Sequence, residues 1–375
     1  MDGIARNVTA TGLDAEQVAA ELAEKLRGDQ LRLAVVFADW RIDPATLARS
    51  LQQALPAPVV GCTTLGVITA VRGEAPTAAA VGLYGDWVKV GIGTATDLPK
   101  AALVRSRDAV HGAAAALGTT AAKLDSARHV AFTLVDGSCG HEEAFCIASA
   151  ATAPQIRMVG GSAATEHGSN HRRAYVWANG EALADAGVVV LLDSRLPFEA
   201  VTSSHLVATQ MKTVVTSAQG RTINELDGRP AAERLRELVG QLGDESRPSG
   251  YSFARFIDGM PYVRSMTHIE GARVHLACAV EVGHVLRLMR PGDLVGQTAR
   301  DLAAARDRLG GELAVLFAFS CIGRHWDAAA RGLEEPLADA YAAYPTIGFQ
   351  SFGEQIGMLL VNHTLTALAI GARRP

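Results

Sequence analysis

The sequence lacks the features that would point to a membrane or a nucleic acid. It has 35 basic and 39 acidic residues, a formal net charge of −4, and no long basic run to attract nucleic acid or an anionic membrane. The N-terminus shows no charged segment followed by an apolar one. The longest apolar stretches fall far below the roughly 20 residues of a membrane span. We therefore expect a cytoplasmic protein that contacts neither membranes nor nucleic acids.

Cysteine pairs and catalytic motifs are also missing. The five cysteines form no C-x-x-C pair, which argues against a disulfide framework or a thiolate zinc site. There is no G-x-S-x-G, Walker loop, H-E-x-x-H or dinucleotide-binding glycine motif. We therefore expect a protein that is not an enzyme. The remote alternative is a cysteine-dependent enzyme acting through Cys139 or Cys321, although neither has a recognisable base and orienting partner.

What the chain does contain is a repeated pattern of strand, helix and strand. With 49% hydrophobic and 20% charged residues over 375 positions, it is an ordinary globular protein of about two domains. LRLAVVF, VAFTLV and LAVLFAF each lead through a polar loop and a helix into a second strand, which ends in VVGCTTLG, MVGGSAAT or IGFQSFGE. The helix from Leu98 to Leu117 and the stretch from Phe198 to Ala305 lie outside this pattern.

These βαββ-like units predict an α/β (α+β) fold with two lobes of mixed β-sheets flanked by helices. The best boundary is the proline-containing stretch SRLPF at Ser194–Phe198. We therefore predict an N-terminal extension with a helix at 1–30, a first domain at 31–195 and a second domain at 196–375.

The candidate site is the edge of the sheet at which the parallel strands end. Ligands of open α/β sheets bind at that edge, so the loops after the strands are expected to form a shared cleft. The predicted cleft residues are Thr63, Asp136, Ser138, Ser162, Arg324 and Glu354. Glu354 or Asp136 would face a ligand ammonium, and the alternative for Glu354 is an exposed carboxylate on a tight turn. Ser138 begins a helix that could receive an anion, and the alternative is a simple helix cap.

Further predicted contacts come from glycines and from an arginine. Gly160 and Gly161 would form a backbone nest for an anion, or would instead allow two strands to pack closely. Arg324 could clamp a carboxylate with two parallel hydrogen bonds. Cys321 and His325 supply too few ligands for a metal site, and His167 and His171 lie in a loop-like stretch where exposure is expected, so the sequence leaves open whether the chain binds a metal.

Six motifs in order resemble the FIST proteins, bacterial sensory proteins with FIST N and FIST C regions. They are VVGCTTLG, VDGSCGHEEAF, MVGGSAAT, INELDGRPA, FSCIGR and IGFQSFGE, and the resemblance runs from about residue 30 to about 370. Within it, 31–195 is the FIST N-like domain and 196–375 the FIST C-like domain.

The resemblance implies a stand-alone sensory protein that binds a small, amino acid-like ligand and signals to a partner such as a histidine kinase. One subgroup of the family binds haem and senses nitric oxide, so haem is the alternative ligand, with no cofactor otherwise certain. The chain departs from the family pattern at four positions, where it has Ala164, Thr165, Gln350 and Phe352. The resemblance therefore does not specify the ligand.

Overall fold

Three copies of one strand and helix pattern, which we call units 1, 2 and 3, make up most of the protein. A computed structural model describes residues 4–71, 75–166, 173–240, 250–257 and 259–373. Unit 1 comprises β1 (Ala5–Ala10), α1 (Ala15–Leu26), β2 (Leu31–Asp39), α2 (Pro44–Ala54), β3 (Val59–Thr64), β4 (Val67–Thr69) and β5 (Ala78–Tyr84). β2 and β3 are parallel, β5 runs antiparallel beside β2, and β1 lies outside β5.

Unit 2 repeats this arrangement. It comprises β6 (Val88–Ala95), α3 (Leu98–Ala116), β7 (His129–Asp136), α4 (Glu142–Thr152), β8 (Arg157–Ala163), β9 (Val176–Ala178), β10 (Glu181–Leu183) and β11 (Gly187–Ser194). β7 and β8 are parallel, β11 runs antiparallel beside β7, and β6 lies outside β11.

Unit 3 begins with β12 (Phe198–Ser204) and is then interrupted by an inserted subdomain, residues 206–291, which we call the insert. The insert comprises β13 (Leu206–Gln219), β14 (Thr222–Leu226), β15 (Arg229–Pro230), α5 (Ala231–Gly240), β16 (Ser252–Ile257), β17 (Met260–Arg264), β18 (Met266–Glu270), β19 (Arg273–Leu276) and β20 (Val285–Pro291).

Unit 3 then resumes, and its order of strands matches that of the other two. It continues with α6 (Leu294–Arg308), β21 (Leu313–Cys321), α7 (Ile322–Arg331), α8 (Glu334–Ala342), β22 (Thr346–Ser351), β23 (Glu354–Ile356), β24 (Leu359–Val361) and β25 (Thr364–Gly371). β21 and β22 are parallel, and β25 lies between β21 and β12.

The predicted α/β fold with repeated units is confirmed, and one part of the prediction is corrected. The helix from Leu98 was placed outside the repeat, yet α3 occupies the same place in unit 2 as α1 in unit 1 and α6 in unit 3. The stretch from 198 to 305 likewise contains β12 and most of α6, which belong to unit 3. The pattern was hidden because the insert separates these two elements by 86 residues of unrelated sequence.

Local sequence explains where the helices begin. Asp14, Asp43 and Asp293 each precede a helix and accept a hydrogen bond from the backbone N–H three residues later. Such caps satisfy N–H groups that the first turn leaves without a helical partner. No helix among the described residues is long and apolar enough to cross a membrane.

Each unit completes the sheet of another unit with a short strand. β9 of unit 2 pairs with β3 of unit 1, β23 of unit 3 pairs with β8 of unit 2, and β4 of unit 1 pairs with β22 of unit 3. The exchange is therefore circular. One hydrogen bond repeats at each exchange. In the second parallel strand of each unit, the next-to-last residue donates its N–H to the carbonyl of the residue just before the exchanged strand. The pairs are Thr63 to Tyr175, Ser162 to Gly353 and Gln350 to Gly66, at 2.9, 2.8 and 2.8 Å.

The three sheets share one apolar core. Its aromatic centre joins all three units, since the ring centroids of Phe37 and Phe349 lie 4.7 Å apart and those of Phe132 and Phe317 lie 5.1 Å apart. The insert has its own core around Phe253, Leu235 and their neighbours. Burial of apolar surface in the shared core stabilises the three units, and burial in the separate core stabilises the insert.

Candidate functional site

A cavity of about 940 Å³ lies between the strand ends of units 2 and 3 and the insert. The floor of the cavity includes Gly137, Ser162, Cys321, Phe352, Asn362 and His363. Helix α7 forms one side with Ile322, Gly323, Trp326, Asp327, Ala330 and Arg331. The roof is contributed by the insert, with Arg221, Tyr251, Met266, His268, Ile269 and Leu276. Apolar and aromatic walls with a few polar groups are typical of small-molecule sites.

Ser162 is the predicted site residue that lines this cavity. It is the next-to-last residue of β8 and is 2% exposed, and its hydroxyl Oγ has no hydrogen-bond partner within the described chain. A buried hydroxyl without a partner is costly, and a ligand could satisfy it. Beside it, Gly137 follows β7 of unit 2 and Phe352 follows β22 of unit 3.

Gly160 and Gly161 lie behind the cavity wall, inside strand β8, where they pair with β7 and β23. A Cβ atom at 160 would lie 2.3 Å from the carbonyl oxygen of Thr133, and one at 161 would lie 2.9 Å from the ring of Phe349. No side chain fits at either position. Close packing of strands accounts for both glycines.

Asp136 and Ser138 organise the loop that leads into α4. Asp136 is fully buried, and its carboxylate accepts hydrogen bonds from the N–H and hydroxyl of Ser138 and from the N–H of Asp185, at 2.6–2.8 Å. Burial raises the pKa of Asp136 above its ordinary value, against the effect of these hydrogen bonds. The hydroxyl of Ser138 also accepts from the N–H of Ala174. Neither residue lines the cavity, whereas Gly137 between them does.

Thr63 and Arg324 also lie outside the cavity lining. The hydroxyl of Thr63 accepts a hydrogen bond from the N–H of Tyr175, next to the strand that unit 2 gives to unit 1. Arg324 belongs to α7 and is fully buried, and it donates to the hydroxyl of Thr298 at 2.6 Å and to the carbonyl of Ser203 at 3.4 Å. No carboxylate of the described chain lies within ion-pair distance of Arg324, and its Nε has no partner there.

Glu354 turns away from solvent into the central core. It is fully buried, and its two oxygens accept hydrogen bonds from the hydroxyls of Ser351 and Thr364, both at 2.6 Å. Burial raises its pKa to about 8, although these hydrogen bonds oppose the shift. The alternative of an exposed turn carboxylate is therefore wrong. The ligand contacts predicted for Glu354 and for the other residues outside the lining stay predictions.

Two pairs of opposite charges lie on the cavity wall. Arg221 of the insert donates to Glu142 at the start of α4, at 2.8 Å. Burial raises the pKa of Glu142, with Arg221 acting in the opposite direction. On the other side, Asp327 accepts from Arg331 at 2.8 Å and contacts Nε2 of His205 at 3.1 Å.

The histidines near the cavity differ in exposure. His268 is exposed on the roof, with its ring stacked 4.2 Å from that of His275. His363 lies in the floor, burial lowers its pKa to about 4, and its Nδ1 has no partner in the described chain. Burial also lowers the pKa of His325 to about 3. The described residues contain no group of three or more side chains suited to a metal, and His167 and His171 lie outside them.

Sequence reasoning missed most of the cavity. Arg221 stands just before the INELDGRPA motif, and Asn362 and His363 follow the last motif, but no local pattern marks any of them as functional. They meet because the insert folds back over the strand ends, which is a long-range contact. The aspartate of VDGSCGHEE drew attention to the right loop, although its neighbours Gly137 and Glu142 are the ones that reach the cavity.

Comparisons with known proteins give a consistent family match. The model described as FIST N domain matches residues 32–229, and the model described as FIST C domain matches residues 231–357. No curated protein matches the chain. Among solved structures, a crystal structure of cyanuric acid hydrolase from A. caulinodans is similar with 10% identity over 99% of both chains and a TM-score of 0.39.

Proposed function

The chain belongs to the FIST family, with both its N and C domains, and from that premise we propose that it senses a small ligand bound in the cavity beneath the insert. FIST domains are sensory ligand-binding domains of signal transduction. We further propose that this protein acts in the cytoplasm, has no catalytic turnover and signals to a partner protein such as a histidine kinase.

The observation that carries the proposal is the unpartnered hydroxyl of Ser162 in the wall of a large cavity. Arg221 adds a cation at the same cavity, with a side chain that is 34% exposed. Its guanidinium makes one hydrogen bond to a described side chain, of the five that it could donate. A ligand with one anionic end and an apolar or amino acid-like body matches these groups and the surrounding apolar wall.

The state of the cysteines supports a sensor rather than a thiol enzyme. Burial raises the pKa of Cys139 to about 12 and raises that of Cys321 well above its ordinary value. A catalytic cysteine needs a lowered pKa, because the thiolate is the nucleophile. Burial therefore disfavours the thiolate form of both cysteines.

Haem is the alternative ligand, and the unpartnered Nδ1 of His363 at the cavity floor is the observation that favours it. The neutral imidazole of His363 would hold the iron, and Arg221 and Arg331 would supply cations for the propionates. Bound haem would supply a gas-binding iron. An absorption spectrum with and without added haemin separates the alternatives, because a sharp Soret band that moves with nitric oxide is specific to the haem sensor.

The direct test measures melting temperatures with a panel of amino acids and small organic acids. A ligand at a hundred times its Kd should stabilise the folded protein by about 2.7 kcal/mol. We expect Ser162→Ala to weaken binding by about fivefold, as the loss of one hydrogen bond of about 1 kcal/mol implies. Its unliganded melting temperature should change little, since the hydroxyl has no partner to lose.

Ser149→Ala is the matched control, because Ser149 is equally buried with an unpartnered hydroxyl but lies on α4 outside the cavity lining. It should leave the ligand response intact. Equal responses from both variants would contradict the role of Ser162. A panel and haemin that both leave the melting temperature unmoved would contradict ligand binding in this cavity.

A further inference from the structure

The insert touches the rest of the protein mainly through polar contacts. Its apolar residues cluster with one another, and among the described residues Cys278 is the one insert residue that shares a hydrophobic cluster with the three units. Domain interfaces that are small and polar permit relative motion, whereas large apolar ones do not. The insert is therefore a separate body laid over the cavity.

Two adjacent strands connect this body to unit 3. The chain leaves through β13 and returns through β20, and Leu206 pairs with Pro291 at the junction. Gly292 follows at once, and a Cβ atom there would lie 2.4 Å from the carbonyl oxygen of His205. The two crossings thus lie side by side, as in a hinge, where few backbone dihedrals need to change.

Helix α7 holds both sides of this hinge. Asp327 contacts the ring of His205 on the outgoing chain, at 3.1 Å, and Arg331 donates to the carbonyl of Gly292 on the returning chain, at 3.0 Å. The same helix lines the cavity through Asp327 and Arg331. Helix α7 therefore contacts the hinge and also forms part of the cavity wall.

Away from the junction, four described residues of the insert donate hydrogen bonds to units 2 and 3. Arg221 donates to Glu142, the N–H of Ala279 to Glu143, Arg264 to the carbonyl of Leu360, and Cys278 to Asn362, at 2.8, 3.0, 2.9 and 2.7 Å. Their loss would let the insert lift without exposing a large apolar surface.

We propose that the insert is a hinged roof, which turns about His205 and Gly292 and is latched shut by the Arg221–Glu142 ion pair. Opening admits the ligand, and a ligand that touches both Ser162 and the roof favours the closed form. This inference rests on the proposed function for the identity of the cavity. The closed roof then presents a different outer surface to a signalling partner than the open one.

The test is hydrogen exchange of the full chain without ligand, so its outcome does not depend on whether a ligand binds. Glu142→Gln and Arg221→Gln each break the latch, and each should accelerate exchange of the Ala279 amide by about tenfold. The amide of Leu316, which bonds to Pro345 within unit 3, should keep the parent rate. Because the two variants replace different partners of the same ion pair, a folding defect in one of them would not explain an effect that both share.

Glu233→Gln is the matched control, because it breaks an exposed pair with Arg229 on the outer face of the insert. Its Ala279 amide should exchange as in the parent. An unchanged Ala279 rate in both latch variants would overturn the proposal, since the roof would then be fixed. Equal acceleration at Ala279 and Leu316 would also overturn it, because the whole fold would be loosened instead.

Discussion

Glu354 occupies a position at which the other two units have a valine. It lies opposite Gly161 in the exchanged strand, just as Val176 lies opposite Cys62 and Val67 lies opposite Phe349. Both valines pack against the central core. One carboxyl group therefore stands where the architecture otherwise places an apolar side chain, which explains why burial dominates its pKa.

The raised pKa of Glu354 predicts a pH-dependent stability. An acid with a higher pKa in the folded than in the unfolded chain binds its proton more tightly when folded. Its contribution to stability is full below the unfolded pKa of about 4.3 and is lost as the pH rises through about 8. The parent should lose up to about 1.4 kcal/mol per pH unit in this interval through this group.

Glu354→Gln should remove that loss, because an amide resembles the protonated acid and has no proton to release. Urea unfolding from about pH 5 to about pH 9 should show the variant gaining on the parent as the pH rises. Glu335→Gln, at an exposed position on α8, serves as the control and should follow the parent. Parallel curves for the parent and Glu354→Gln would contradict a buried, protonated Glu354.

For single residues, the sequence predicted loops that reach the cavity but not which side chains line it. It placed Ser162 at a strand end, and Ser162 does line the cavity. It could not show that Arg324 and Glu354 are fully buried, because the residues that cover them are far away in sequence. Burial depends on tertiary packing, and a charged residue beside a glycine is more often exposed than buried.

Among the elements, the second parallel strand of each unit carries a glycine three residues before its end. These are Gly61, Gly160 and Gly348, and a Cβ atom there would lie 1.7, 2.3 and 1.9 Å from the carbonyl oxygen of the residue paired with it on the neighbouring strand. The space of a side chain is taken by that carbonyl. The same packing constraint therefore applies at one position in three otherwise dissimilar strands.

Gly348→Ala should consequently destabilise the fold by about 3 kcal/mol, the upper range for overpacking a core. Gly112→Ala is the matched control, because Gly112 is exposed on α3 with no atom near its missing Cβ. It should raise stability by about 0.5–1 kcal/mol through better helix propensity. Denaturant unfolding measures both, and equal stabilities for the two variants would contradict the steric argument.

Sequence patterns predicted the order of strand, helix and strand because those signals are local. Apolar runs such as LRLAVVF and a capping aspartate such as Asp43 are visible within a few residues. The circular exchange of strands was not predictable in this way. β4, β9 and β23 are three residues each, and their partners lie in another unit.

The whole molecule consists of three interlocked units and the insert. Removing a unit should disrupt the fold, whereas removing the insert should not. A fragment of residues 1–195 keeps units 1 and 2 but loses β23, which covers the edge of β8, and Phe317 and Phe349 of the shared core. An open edge and an exposed core favour aggregation. We expect this fragment to be oligomeric or insoluble in size-exclusion chromatography.

Deletion of 206–291 with a short glycine linker is the contrasting case. The two ends are paired neighbours and the insert has its own core, so the remaining units should stay folded and monomeric with a cooperative melt. A monomeric, cooperatively melting 1–195 fragment would contradict the interlocking of the units. An unfolded deletion variant would contradict the independence of the insert.

The circular exchange also bears on how the chain can fold during its synthesis. The sheet of unit 1 needs β9, about a hundred residues beyond β3, and the sheet of unit 2 needs β23, about two hundred residues beyond β8. While the ribosome is still translating unit 3, the nascent chain thus carries an uncapped strand edge at β8. The sheet of unit 2 is therefore completed only after β23 has been synthesised, and until then the edge of β8 is open to pairing with other chains.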